Sequence, residues 1–180
     1  AAAGVGLELV MGGLRRDGVA IDAAARVRYL GYWQAVNAST GQLFNFNAGL
    51  PEGLVYDTEP ACRALVTARN LAPELVWPLA RLIQRAFYTE GVDVTRASVL
   101  VELAERAGIP RIVFAEAFDS AAQRAATAAD FSWTQDLGIA GFPTLLAERN
   151  GQLALLTNGY QPLDVLQPLL TRWLERVAHA

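Results

Sequence analysis

Lysine is absent from the 180 residues, and cysteine, histidine and methionine occur once each, as Cys62, His179 and Met11. One cysteine excludes an intrachain disulfide and a Cys-x-x-Cys dithiol within this sequence. One Cys and one His also exclude a Cys/His zinc cluster, so no metal site is expected. All 15 basic residues are arginines, scattered singly except for Arg15-Arg16. Without a basic tract there is no footprint for nucleic acid or for an anionic membrane. Long apolar runs are lacking as well: charged residues interrupt every run well before 18 residues, and no basic segment precedes the apolar start. The expectation is neither a transmembrane helix nor a signal peptide, and hence a cytoplasmic protein.

What is present is a core-forming composition, 53% hydrophobic and 18% charged with a net charge of −3. A chain of this size buries roughly 70% of the surface its unfolded form exposes, enough for one domain over 1–180 without staples.

Leu7 to Met11 is short, apolar and ended by Gly12-Gly13, which predicts a strand over 6–11. Asp22 to Asn37 is helical in pattern, with Ala25, Tyr29, Tyr32, Trp33 and Val36 near one face and Asp22 as cap. Residues 39–56 are rich in Gly, Asn and Phe and predict a long loop. Helices follow from Glu59-Pro60 with Thr58 as cap, from Pro73, from about Arg96 to Ala107 with Gly108 as its stop, and from Pro110 to about Ala128. Gly138 to Pro143 breaks the helical pattern. Thr144–Arg149 and Gln152–Thr157 then flank Asn150-Gly151, the preferred two-residue type I′ turn, and predict an antiparallel hairpin. A last helix over about 163–177 contains Pro168.

Gly141-Phe142-Pro143-Thr144 ahead of a hairpin and a closing helix resembles the C-terminal half of a thioredoxin fold. The preceding block of helices is similar to the helical insertion of DsbA-type disulfide oxidoreductases. Four further segments resemble a bacterial, protein-disulfide-isomerase-like branch of that family: Val10–Leu14, Gly41–Asn45, Tyr56–Ala64 and Phe87–Gly91. The resemblance implies an α/β thioredoxin-like fold, with 1–50 and 130–180 as the thioredoxin-like part and 51–129 as the insertion. It also implies that the family's first strand and helix, which carry Cys-x-x-Cys, precede the segment read here. As it stands the chain should be inactive in dithiol exchange, which needs an attacking and a resolving thiol.

The function implied is thiol–disulfide oxidoreductase or protein disulfide isomerase, acting on a protein or peptide disulfide with no bound cofactor. Glutathione and a second copy of the chain are the further candidate partners. Two other classes stay open: a glutathione-dependent isomerase or kappa-class-like transferase, and a non-catalytic peptide-binding module. Gly141, Phe142, Pro143 and Thr144 are the substrate-binding candidates, with a cis proline whose preceding residue pairs with an extended substrate in the manner of an added strand. No catalytic residue is assigned. Cys62, early in a helix among apolar neighbours, reads as structural. Glu59, Glu90 and Asp93 read as first-turn or turn acids rather than as an acid–base pair, and His179 as a frayed end. Tyr29, Tyr32, Trp33, Phe44 and Phe46 fit either a ligand groove or the core.

Overall fold

A computed structural model describes residues 5–178, which fall into two compact units divided between Trp133 and Thr134. The first contains strand β1 (Arg16–Ala20), helix α1 (Ala23–Thr40), strand β2 (Val55–Asp57), helix α2 (Glu59–Leu71), a 3-10 turn (Pro73–Leu75), and helices α3 (Val76–Tyr88), α4 (Ala97–Ala107) and α5 (Arg111–Asp119). Helix α6 (Ala121–Asp136) carries the boundary, and the second unit continues with strands β3 (Thr144–Arg149) and β4 (Gln152–Asn158) and helix α7 (Leu163–Ala178).

The strand predicted over 6–11 is not formed. The paired segment is instead β1, antiparallel to β2 in a two-stranded sheet. A strand exists only where a second one completes its ladder, and residues 9–15 find other partners, described below. The loop expected over 39–56 is shorter than predicted, because α1 runs to Thr40 and β2 begins at Val55. Helix α1 starts where Asp22 accepts a hydrogen bond from the Ala25 amide at 2.7 Å, and it ends at Gly41 with φ 70°. Only part of its predicted inner face is covered. Tyr29 and Trp33 are buried, whereas Tyr32 is 55% and Val36 43% exposed.

The helix expected over 110–128 is two helices, broken at Ser120, which takes extended backbone angles (φ −69°, ψ 151°). Phe114 and Phe118 stack at 5.8 Å in the core, and Val113 is exposed.

Helices α2 to α5 pack around Ala64, Ala68, Leu79, Leu100, Phe114 and Phe118, all almost fully buried. Inside this core Arg63 is 6% exposed, with its guanidinium 4.0 Å over the Phe118 ring, Nη1 donating to Phe118 O at 2.8 Å, and Nε 2.9 Å from Glu59. One turn along α2, the Thr67 hydroxyl is fully buried and has no hydrogen-bond partner among the described residues. Leaving a hydroxyl unpaired in the core costs about 1–3 kcal/mol, and valine has nearly the same shape. Thr67→Val should therefore raise stability by about 1 kcal/mol in urea titration. A loss of similar size would show that the hydroxyl bonds a group after all.

In the second unit the hairpin has the predicted turn, with φ 53° at Asn150 and 77° at Gly151. A bulge interrupts the register after Leu145, so that Leu145 faces Thr157 and Leu146 faces Leu155. Helix α7 packs on β4, with Leu166, Leu169, Leu170, Trp173 and Leu174 partly buried. The side chain of Val177 and the whole of His179 lie outside the described residues.

Candidate functional site

The four residues singled out before the hairpin share one turn. Phe142-Pro143 is a cis peptide bond. The Thr144 hydroxyl donates to Gly141 O at 2.7 Å, and the Gly159 amide donates to Pro143 O at 2.8 Å, tying both strand ends to the turn. A Cβ on Gly141 would stand 3.4 Å from the side-chain oxygen Asn158 Oδ1, an ordinary contact distance. Phe142 is 40% exposed, and among the described residues nothing hydrogen-bonds its backbone. A neighbouring apolar groove of about 240 Å³ is lined by Thr144, Leu146, Leu155, Leu137 and Ile139. An exposed aromatic, a free peptide unit and an apolar groove together form a surface on which an extended peptide can lie.

Cys62 has the opposite character. Burial pushes its thiol up to about 11; a hydrogen bond from the Gly13 backbone works against this, and the carboxylates of Glu59, Asp130 and Asp57 add to it. The sulfur therefore stays a protonated thiol at neutral pH, unsuited to nucleophilic attack.

The three carboxylates weighed as acid–base candidates are each occupied locally. Glu59 sits beside Arg63, Glu90 accepts from Arg85 at 2.8 Å, and Asp93 accepts from the amide and hydroxyl of Thr95 at 2.9 and 2.6 Å. Of the five aromatic residues, Tyr29 and Trp33 are core and Phe44 packs partly buried against them, whereas Tyr32 and Phe46 are exposed. Trp33 packs against Phe44, Phe87 and Tyr88 with ring centroids 5.2 to 5.7 Å apart, and Tyr29 lies edge-on to Tyr56 at 4.9 Å. Burial raises the Tyr56 and Tyr88 hydroxyls above the usual tyrosine value. Among the described residues no three His, Cys, Asp or Glu side chains come together as metal ligands.

Sequence reasoning missed what holds residues 9–15. Every second residue there meets α2 or its partner α6. Leu9 O accepts from Arg69 Nη1 at 2.8 Å, the Met11 amide donates to Asp130 Oδ2 at 2.9 Å, Gly13 meets Cys62, and the Arg15 amide donates to Thr58 Oγ1 at 3.1 Å. Arg69 and Asp130 close the arrangement with two parallel hydrogen bonds of 2.9 Å. The period of two is that of extended chain, but its backbone groups bond side chains instead of a neighbouring strand. Thr58 is thereby diverted from the capping role expected of it. Asp57 Oδ1 accepts from the Glu59 amide in its place, at 2.8 Å. Gly13 is required by space: its φ is 62°, and a Cβ would lie 2.8 Å from the Phe131 ring. The Gly12-Gly13 pair was the only signal in the sequence for this crossing; nothing marked Arg69 and Asp130, 61 residues apart, as partners.

A helix-dominated α/β chain that closes with a proline turn, a hairpin and a packed helix is a thioredoxin-fold protein with a helical insertion. Residues 34–171 match the family model of the DSBA-like thioredoxin domain, and the chain belongs to that family. Among solved structures it is similar to a protein of Nitrosomonas europaea assigned provisionally as a protein disulfide isomerase. The two are 39% identical with a TM-score of 0.85, over 92% of this chain and 79% of that one. It is also similar to the cytosolic disulfide reductase DsbM of Pseudomonas aeruginosa, 32% identical with a TM-score of 0.76, over 95% of this chain and 85% of that one. A further structure of that reductase, at the same identity, is a complex with glutathione. No curated protein matches. No helix among the described residues is long and apolar enough to cross a membrane.

Proposed function

We propose that this chain is the scaffold and substrate-binding part of a DsbA-like thiol–disulfide oxidoreductase of the cytoplasm. The observation that carries the reading is the turn Gly141–Thr144, with its exposed Phe142 and unpaired peptide unit, in a chain of this family. An extended substrate would pair with the Phe142 backbone while an apolar side chain of the substrate enters the groove beside Thr144. Residues 1–50 and 130–180 would then form the thioredoxin-like part and 51–129 the insertion.

The redox step needs a thiolate that attacks one sulfur of the substrate disulfide and expels the other as a thiolate. A second thiol then attacks the mixed disulfide, releasing reduced substrate and leaving an oxidised pair. Cys62 supplies neither function, so the dithiol has to come from residues outside these 180. Both similar structures include chain beyond the matched part, which supports that assignment. Glutathione is the favoured small thiol for regenerating the dithiol, because one solved structure of DsbM is a complex with it.

The 180-residue chain should reduce no protein disulfide, with or without glutathione. Titrating the isotopically labelled chain with an extended peptide or with S-methylglutathione should shift the amides of Gly141, Phe142, Thr144 and Gly159. Phe142→Ala should weaken the peptide about tenfold. Shifts confined to other residues would overturn the assignment of the binding turn, and turnover by this chain alone would overturn the role given to the missing dithiol.

A further inference from the structure

Helices α4 and α5 leave an open apolar groove of about 360 Å³ between them, lined by Ala97, Val101, Ala115 and Phe118. On its rim stands Ile112, 72% exposed. Arg111 lies at one end of α5, and Glu116 and Asp119 lie toward the other. We propose that this face docks a second copy of the chain, with the α5 helices antiparallel across a two-fold axis beside Ala115.

The argument is one of self-complementarity. A two-fold contact requires that whatever a surface offers, the same surface also receives. Centred on Ala115, an antiparallel pair of α5 helices sets Arg111, four residues before the centre, opposite Asp119, four residues after it. It likewise sets Ile112, three before, opposite Phe118, three after. The exposed knob of each copy therefore meets the apolar groove of the other, and the positive end of each helix meets the negative end of its mate. A parallel pair would instead set Arg111 beside Arg111. Ala115 at the crossing point has the small side chain that lets two helix axes approach to about 8 Å. Arg111 and Asp119 already pair within the chain, with Glu105 at 2.9 Å and Arg124 at 3.0 Å, and Asp119 also lies 3.9 Å from the buried Arg63, but the side chains of Arg111, Glu105, Asp119 and Arg124 are solvent-exposed. A guanidinium with five donors and a carboxylate with about four acceptor sites retain capacity for a second partner.

Sedimentation of the full chain across the micromolar range should show a monomer–dimer equilibrium. Ile112→Glu, at an exposed position and so without effect on circular dichroism, should raise the dissociation constant about tenfold or more. Arg111→Asp should weaken the dimer, and the swap Arg111→Asp with Asp119→Arg should restore it. Ala115→Cys should form an interchain disulfide under mild oxidation much faster than Val27→Cys on exposed α1, while the wild-type chain, with the shielded Cys62 alone, stays uncrosslinked. A monomer at every concentration, a dimer indifferent to Ile112→Glu, or equal crosslinking at 115 and 27 would each overturn the proposal.

Discussion

Iodoacetamide at pH 8 should alkylate Cys62 about a hundredfold more slowly in the folded chain than in the chain unfolded in urea. The ratio follows from the thiolate fraction, because burial moves the thiol from 9.0 to about 11, and two pH units are two decades in the reactive form. The same shift ties stability to pH. Between pH 9 and 11 the folded chain holds the Cys62 proton that the unfolded chain has released, so stability falls as pH rises through that window, by about 2–3 kcal/mol in all. Below pH 9 both states are protonated and the contribution is fully present. Tyr56 and Tyr88, raised by burial from 10.0, add their own loss from about pH 10 upward, so the Cys62 contribution is read from the difference between wild type and Cys62→Ala. Denaturant titrations at pH 8.5, 9.5 and 10.5 should show this loss in the wild type and a flatter profile in Cys62→Ala. Rapid alkylation of the folded protein would mean that Cys62 is an accessible reactive thiol and would reopen a redox role for it.

Asp130→Ala should destabilise the first unit by about 3 kcal/mol, a large part of the 5–15 kcal/mol typical of a domain. The carboxylate accepts from Arg69 through both oxygens and also holds the Met11 amide, and both side chains are largely withdrawn from water. Removing it leaves a guanidinium and a backbone donor without partners at once, which costs more than losing an exposed ion pair. Arg69→Ala should cost a similar amount, since it frees Leu9 O as well as the carboxylate. The double variant should fall well short of the sum of the two singles, because each single already breaks the same unit. Hydrogen exchange at Met11 should lose its protection in both singles. If Asp130→Ala costs less than about 1 kcal/mol, residues 9–11 are held by the apolar contacts of Met11 with Val66 and Phe131 rather than by the ion pair.

Much of this fold is written in local chemistry, and those parts are legible without coordinates. Asn150-Gly151 takes positive φ at both positions because those residue types tolerate it, and Gly108 ends α4 with φ 103° for the same reason. The spacing of Val76, Leu79, Ile83, Ala86 and Phe87 marks the buried face of α3, since side chains three and four residues apart share one side of a helix. The single cysteine rules out a dithiol within these residues whatever the fold. The family blocks pointed to the membership that the match over residues 34–171 shows.

The remaining features depend on residues far apart in sequence, and no local pattern encodes them. Residues 6–11 have the composition of a strand, but a strand is a relation between two segments; Arg69 and Asp130 satisfy the Leu9 and Met11 backbones instead. Thr58 has the right identity and position for a cap, yet Arg15, 43 residues away, takes its hydroxyl. The break at Ser120 falls inside an otherwise continuous helical pattern; the serine is a cap type, and its hydroxyl accepts from the Gln123 amide at 3.2 Å, but the apolar spacing on either side runs on without interruption. The protonated state of Cys62 arises from the apolar wall and the three carboxylates that the tertiary structure gathers around one sulfur. Periodicity reports which face of an element is apolar, whereas the partner that covers that face, and the electrostatic environment it creates, exist only once the chain has folded.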